Sequence, residues 1–264
     1  MTRLLVTGTT SGIGHAIAES VAANACDASP AHLIMAVRNT TLAHEQRHKL
    51  CLKYPSAEID VVECRLESRS SIERCAETVI KRFGELDVLI NNAGAMFQKP
   101  RLAESGYELT FATNHLGPFH LTNLLLPALT HSRIARVVNV ASKQHFQASL
   151  NFESLTRISD YSMMRAYGDS KLANVMFSNA LARRVESSNV RVNALHPGVI
   201  SSNILPNTGR AWPLVRRTAS LLGITKSPAL GAATPLYLAL SPSAEDLQGL
   251  YLNEHQVPEP CSAE

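Results

Sequence analysis

Arg3-Leu-Leu-Val-Thr7 is a short run of strand-forming residues. It ends in Gly8-Thr-Thr-Ser11-Gly12-Ile13-Gly14 and passes directly into a helical pattern carried by Ala16, Ile17, Val21 and Ala22. Strand, glycine turn and helix, in that order, are what a phosphate site needs. Glycine removes the Cβ where backbone must approach a pyrophosphate, and the helix N-terminus presents free N–H groups with a partial positive charge. The spacing is GxxxGxG rather than the GxGxxG of longer dinucleotide-binding chains.

The alternation continues down the chain. His32–Val37, Glu58–Glu63, Asp87–Ile90, Ala135–Val140, Val190–Leu195 and Leu250–Leu252 read as further strands. Helical patterns over Ser70–Phe83, Arg101–Leu129, Tyr161–Val185 and Ala229–Leu240 separate them. Strands alternating with helices imply a parallel sheet covered on both faces, the doubly wound α/β class. With 264 residues and 45% hydrophobic content, the chain buries a substantial core as one domain, placed at 1–252. Residues 201–227 interrupt the alternation. Their Ile204, Leu205, Trp212, Leu214, Val215, Leu221 and Leu222 are either apolar cover over a substrate or ordinary packing of two short helices. Residues 253–264, with Pro258 and Pro260, read as an irregular tail.

Composition removes several function classes. The formal net charge of +3 is spread without a basic block or aromatic interleaving, so no nucleic-acid partner is expected. Cys26, Cys51, Cys64, Cys75 and Cys261 form no CxxC pair, which fits free thiols in a reducing compartment. The first apolar run starts at Leu4 and no apolar stretch reaches a membrane span, so a cytoplasmic protein with no integral membrane segment is expected. His44-Glu45-Gln46-Arg47-His48 matches the HExxH zinc pattern letter for letter. Arg47 and Lys49 sit within and beside it and no third ligand is marked, so no metal is expected.

Arg38 closes the second strand, where a dinucleotide fold places a carboxylate for a ribose 2′-hydroxyl or an arginine for a 2′-phosphate. Arg38 therefore argues for NADP over NAD; a solvated strand-end arginine is the competing reading. Tyr167 and Lys171 lie four apart on one predicted helix and face the same way. A phenol titrates near 10, and a fixed ammonium beside it favours the phenolate. Lowering it by about three units takes roughly 4 kcal/mol, more than one screened charge supplies. A second positive charge is wanted, and an oxidised nicotinamide ring would provide it. Ligands in such sheets bind beyond the carboxyl ends of the strands, where Gly8, Asn92 and Ser142 would all sit.

Together, Thr7-Gly8-x-x-x-Gly12-Ile13-Gly14, Asn91-Asn92-Ala93-Gly94, Asn114, Ser142, Tyr167-x-x-x-Lys171 and Pro197-Gly198 resemble the short-chain dehydrogenase/reductase family. The resemblance runs from Leu4 to about Leu252. The stretches Asn114–Thr122, Tyr161–Asn174 and His196-Pro-Gly look like its retinol dehydrogenase-like branch. What it implies is a single Rossmann-type domain with a seven-stranded parallel sheet. Tyr167 would exchange the proton with the substrate oxygen while Ser142 hydrogen-bonds that oxygen. Lys171 would lower the Tyr167 pKa and hold the nicotinamide ribose, and Asn114 would position a water that feeds protons to Lys171. Gly8, Ser11, Gly12, Ile13, Gly14, Arg38, Asn92, Ala93 and Gly94 fall at cofactor-lining positions, with Pro197, Gly198, Val199 and Ser202 near the nicotinamide.

One departure stands out. Relatives carry an aspartate after the third strand for the adenine amine, whereas this chain has Cys64-Arg65-Leu66. Arg65 cannot accept that hydrogen bond; it stacks on adenine, reaches the 2′-phosphate, or leaves cofactor affinity weaker. The implied activity is hydride transfer between NADPH and an apolar aldehyde, ketone or alcohol, such as a retinoid, steroid-like or aliphatic compound. Met96, Phe97, Phe146, Met163 and the Trp212 region suggest the apolar pocket, against ordinary core packing. The N-terminal anchor of several retinol-dehydrogenase relatives is not seen, which weakens a membrane retinoid as substrate. The alternative is a catalytically quiet NADPH-binding sensor or scaffold, which intact Asn114, Ser142, Tyr167 and Lys171 argue against. A homodimer through the two long helices is a further expectation, with Leu121, Leu124, Leu125 and Leu126 as apolar surface or as packing for the sheet.

Overall fold

A computed structural model describes residues 1–26, 30–156, 158–200 and 225–261. Its strands are β1 (Thr2–Thr7), β2 (Ala31–Val37), β3 (Glu58–Glu63), β4 (Val88–Asn91), β5 (Ala135–Val140), β6 (Val190–Leu195) and β7 (Tyr251–Leu252). They form one seven-stranded sheet in the order β3-β2-β1-β4-β5-β6-β7, every pairing parallel. The strand order reverses between β1 and β4, so a crevice opens at their carboxyl ends.

The helices are α1 (Gly12–Asn24), α2 (Thr40–Lys53), α3 (Arg69–Phe83), α4 (Leu109–Phe111), α5 (Gly117–His131), α6 (Met163–Arg184) and α7 (Pro228–Leu240). The period-two alternation of the strands divides them between two cores. Leu4, Val6, Leu33, Met35, Ile90 and Val138 pack under α1, α2 and α7. Leu5, Ile34, Leu89, Val137 and Val192 pack under α3, α5 and α6. Leu121 and Leu125 are fully buried there, so they serve the sheet, and the exposed large apolar residues of α5 and α6 are Phe119, Met164 and Met176.

Two sequence patterns fold differently from their surface reading. The helical run over Arg101–Leu129 begins only at Leu109 and is broken by a π-helical turn, Ala112–Leu116. Glu108 caps the first turn by accepting from the backbone of Thr110 and Phe111, and the widened turn carries Asn114. In the HExxH stretch, His44, Glu45 and His48 are exposed on α2. Its neighbours have structural work: Gln46 donates to Thr10 O at 2.9 Å and Arg47 to Ile59 O at 2.6 Å. Among the described residues no group of three or more metal-ligating side chains is found, and no helix is long and apolar enough to cross a membrane.

The switch point is tied by one side chain. Thr7 Oγ1, 1% exposed, accepts from the backbone N–H of both Asn92 and Ala93 at 3.0 Å. Replacing it by the isosteric valine strands the Ala93 donor, at a cost of about 1–3 kcal/mol, while Asn92 N–H keeps Ile90 O at 3.0 Å. Denaturant unfolding should therefore show Thr7→Val destabilised by about 1–3 kcal/mol and Thr7→Ser, which loses only a methyl, by less than about 1 kcal/mol. Equal losses in the two variants would mean that the hydroxyl is not the tie.

Candidate active site

Behind Thr7 the chain turns through Gly8, whose φ of +72° is a left-handed conformation natural to glycine. Asn92 braces this turn from β4, donating to Thr7 O at 2.9 Å. A Cβ on Gly14 would collide with the Gly8 carbonyl and the Asn92 amide, so α1 starts hard against the sheet. The result is a groove of about 270 Å³ with the N-terminus of α1 open to it. Gly8, Ser11, Gly12, Ile13, Gly14, Arg38, Asn92, Ala93 and Gly94 all line it. Thr10, Asn39, Cys64, Leu66, Glu67, Ala95 and Thr113 line it as well. Those were missed because no spacing rule marks residues brought in by neighbouring strand ends. Glycine cradle, helix N-terminus and arginine fit the pyrophosphate and phosphorylated ribose of a dinucleotide.

The polar side chains expected to react lie farther along the same sheet edge. Ser142 follows β5; its Oγ accepts from Gln144 N at 3.3 Å and its hydroxyl hydrogen-bonds the Tyr167 phenol. Lys171 is 2% exposed and its Nζ donates to Val140 O at 2.8 Å. Asn114 is fully buried; its side chain donates to Ala95 O at 2.9 Å and Ser170 Oγ at 3.1 Å and accepts from Ala95 N at 2.8 Å. Both N–H bonds its side chain offers, and one acceptance, thus hold the loop after β4 against α6. Its backbone carbonyl accepts from Asn174 Nδ2 at 3.0 Å.

The electrostatics differ from the simple expectation for Tyr167 and Lys171. Burial pushes the Tyr167 phenol up to about 12, against the pull of its hydrogen bond with Ser142. Burial brings Lys171 down to about 8. The Lys171 ammonium lies 5.5 Å from the Tyr167 ring centroid and is engaged by the Val140 carbonyl. Sharing a helix face therefore does not make Lys171 a phenolate partner in the protein alone. The desolvation both groups suffer outweighs their mutual effect.

The Pro197-Gly198-Val199 turn leaves β6 beside this cluster, with Gly198 at φ +80° and Val199 62% exposed. Ser202, and Trp212 with the rest of 201–224, lie outside the described residues. His196, 1% exposed, anchors the turn: its Nδ1 accepts from Gly198 N at 3.2 Å and its Nε2 donates to Glu259 at 3.3 Å. Burial holds this imidazole below its usual value, which agrees with the neutral tautomer those bonds require.

The Lys171 shift has a consequence for stability. The folded chain gives up this proton near pH 8, whereas an ordinary lysine keeps it to 10.5. The unfolded state therefore binds more protons between those values, and stability rises with pH across that window by about 3 kcal/mol. Tyr167 acts in the opposite sense only between 10 and about 12. Unfolding of wild type and Lys171→Met from pH 7.5 to 10 should show the rise in the wild type alone; parallel curves would refute it.

The sequence matches the short chain dehydrogenase family over residues 2–211. It is 36% identical to the chloroplastic short-chain dehydrogenase TIC 32 A of Brassica napus over 98% of this chain and 82% of that protein. It is 37% identical to retinol dehydrogenase 14 of Mus musculus, over 95% of this chain and 77% of that one. The fold superposes on L-sorbose reductase from Gluconobacter frateurii, solved with NADPH and L-sorbose, with a TM-score of 0.75. That pair is 24% identical over 96% of this chain and 94% of the reductase, a likeness of fold alone. A family match across most of the chain, borne by relatives more than one-third identical along nearly all of it, fits a groove and a polar cluster of this kind on one sheet edge. The chain belongs to the short-chain dehydrogenase family of NAD(P)-dependent oxidoreductases.

Proposed function

We propose that the protein is an NADP-dependent carbonyl reductase or alcohol dehydrogenase acting on apolar aldehydes, ketones or alcohols, with Tyr167 as general acid and base. The observation that carries this reading is the convergence of Ser142, Tyr167 and Lys171 beside a groove whose β2 end presents Arg38. The bound dinucleotide supplies or accepts the hydride. Ser142, hydrogen-bonded to the Tyr167 phenol, donates its O–H to the substrate oxygen when that oxygen binds. Tyr167 delivers a proton to that oxygen as hydride reaches the carbon, or removes it in the reverse direction. Lys171, neutral or charged near pH 8, passes protons onward, and Asn114 positions the water that links it to solvent.

A phenol raised to about 12 is suited to remain protonated until a cationic ring arrives beside it. Apolar specificity is supported by Phe146, 45% exposed beside Ser142, by Met96, and by Phe97, whose carbonyl accepts from Tyr161 OH. The name of retinol dehydrogenase 14 points to an apolar alcohol in that relative. The cysteine spacing supports a reducing compartment, of which the cytoplasm is the simplest case.

NADPH oxidation against a panel of apolar aldehydes and ketones tests the catalytic part. Tyr167→Phe should lose about 10²–10⁴-fold in turnover with NADPH affinity within about threefold. Turnover of sugars far above that of apolar carbonyls would sink the substrate class. For the cofactor, Arg38→Ala should weaken NADPH by about tenfold and leave NADH unchanged. Similar affinities for both cofactors, unaltered in that variant, would remove the NADP assignment.

A further inference from the structure

The buried imidazole of His196, just past the end of β6, stands between two competing partners. Its Nδ1 accepts from Gly198 N at 3.2 Å, which requires a lone pair on that nitrogen. Glu254 Oε2 lies 3.2 Å from the same atom. That oxygen is buried and accepts no hydrogen bond among the described residues, with Lys143 Nζ standing off at 3.7 Å. A lone pair and a carboxylate oxygen thus face each other with no proton between them. The neutral ring therefore serves Gly198 and repels Glu254. A second proton on the ring reverses both contacts: Nδ1–H donates to Glu254 Oε2, and Gly198 N–H meets a donor where it had an acceptor. Nε2 keeps its proton and its bond to Glu259 in either form.

The groups facing the ring set the balance between the two forms. Burial and the Lys143 charge favour the neutral imidazole, whereas Glu254 and Glu259, both from the chain after β7, favour the cation. Lys226 lies 3.7 Å from Glu254 Oε1 and offsets part of its charge. Tyr251 on β7 packs against the ring at 5.7 Å between centroids and stays an uncharged phenol, pushed up by burial. The sum holds His196 below its usual value of 6.5, so the ring is neutral at pH 7 and charges on the acid side.

The turn held by this nitrogen has little slack. A Cβ on Gly198 would come within 3.3 Å of the Glu254 carboxyl, so the backbone lies directly against the competing group. β6 neighbours β5, which places the turn beside Ser142 at the carboxyl edge of the sheet. We propose that His196 is a positioning residue for the nicotinamide half of the cofactor: its unprotonated Nδ1 holds the Gly198 turn in place, and protonation hands that nitrogen to Glu254 and releases the turn. The inference rests on the dinucleotide reading of the site, with Pro197, Gly198 and Val199 at the nicotinamide. It is independent of the substrate class and of the role of Tyr167.

Calorimetric binding of NADP+ and of 2′-phospho-ADP-ribose, which lacks the nicotinamide, from about pH 8 to about pH 5 tests it on the full chain. Both ligands carry the 2′-phosphate, so the ratio of their affinities removes that group's own titration. In the wild type the ratio should fall about tenfold toward acid in favour of the truncated ligand, the worth of one hydrogen bond. In His196→Asn, whose side-chain oxygen replaces Nδ1 as an acceptor that does not titrate, the ratio should stay constant within about twofold, whatever its starting value. Glu254→Gln removes a charge that favours the cation and should move the midpoint down by about one pH unit. Nitrogen NMR of the wild type needs no variant: the His196 Nδ1 resonance and the Gly198 amide should shift with one midpoint. A flat wild-type ratio, an undiminished fall in His196→Asn, an unmoved midpoint in Glu254→Gln, or a Gly198 amide indifferent to the His196 titration would each overturn the assignment alone. A chain that binds neither ligand would remove both this inference and the cofactor reading.

Discussion

A parallel sheet whose strand order reverses in its middle has a gap that nothing in the backbone pattern closes. Here the hydroxyl of Thr7 closes it. Two backbone N–H groups of the β4 turn converge on one oxygen at the end of β1, and the Asn92 amide returns the tie to Thr7 O. The groove, the seat of α1 and the line of Ala93 toward Gly8 all follow from that link, since a Cβ on Gly8 would lie 2.9 Å from Ala93. A second buried polar chain extends the constraint across the sheet. Asn91 donates to Asn139 and Thr122, Asn139 to Ser178, and Ser178 to the carbonyl of Asn174. Asn174 then reaches the Asn114 carbonyl, so the end of the sheet edge that carries Asn114 and α6 is joined to β4 and β5 through buried polar groups.

Such a framework lets the protein bury groups that resist burial. Lys171 and Tyr167 are both held in their neutral direction by desolvation, the lysine down and the phenol up. In water either would be a poor proton carrier at neutral pH, one too basic and the other too weak an acid. Burial brings Lys171 to about 8, within reach of the working range, while Tyr167 stays protonated. The pair is thus poised by its surroundings, and a positive charge entering the cleft acts on a phenol with little solvent to screen it.

Much of this was legible in the chain. The strands Ala135–Val140 and Val190–Leu195 lie where the mostly apolar runs put them, because a strand covered on both faces is largely apolar. The edge strand Glu58–Glu63 lies where the β-branched core of its run, Val61-Val62, puts it. The glycine turn was legible for a steric reason, since Gly8 and Gly14 occupy positions that a Cβ would close. The break at Ala112–Leu116 was not, because apolar periodicity marks neither Pro118, which has no N–H to give the Asn114 carbonyl, nor the bonds of the Asn114 side chain to Ala95, nineteen positions away in sequence. Nor was the effect of Lys171 on Tyr167. Spacing reports which face a side chain shares, whereas the pKa depends on depth and on which carbonyl its ammonium finds.

The chain after β7 shows why depth matters beyond the catalytic pair. Pro258 pairs with Leu252, and Glu259 is carried back to the buried His196, whose other nitrogen serves Gly198. Glu254 lies 3.2 Å from His196 Nδ1, but that atom already accepts from Gly198, so the neutral ring gives Glu254 no proton. Glu254 is compensated by Lys143 and Lys226, each at 3.7 Å. Lys143 follows Ser142, and Lys226 is bridged to Ile200 past the Gly198 turn. One carboxylate therefore joins Lys143, the residue after Ser142, to Lys226 and to the His196 that anchors the Gly198 turn. The Gly198 turn is thus held beside Ser142 by charges drawn from three separate stretches of chain, so its geometry is fixed by the whole sheet edge rather than by any one motif.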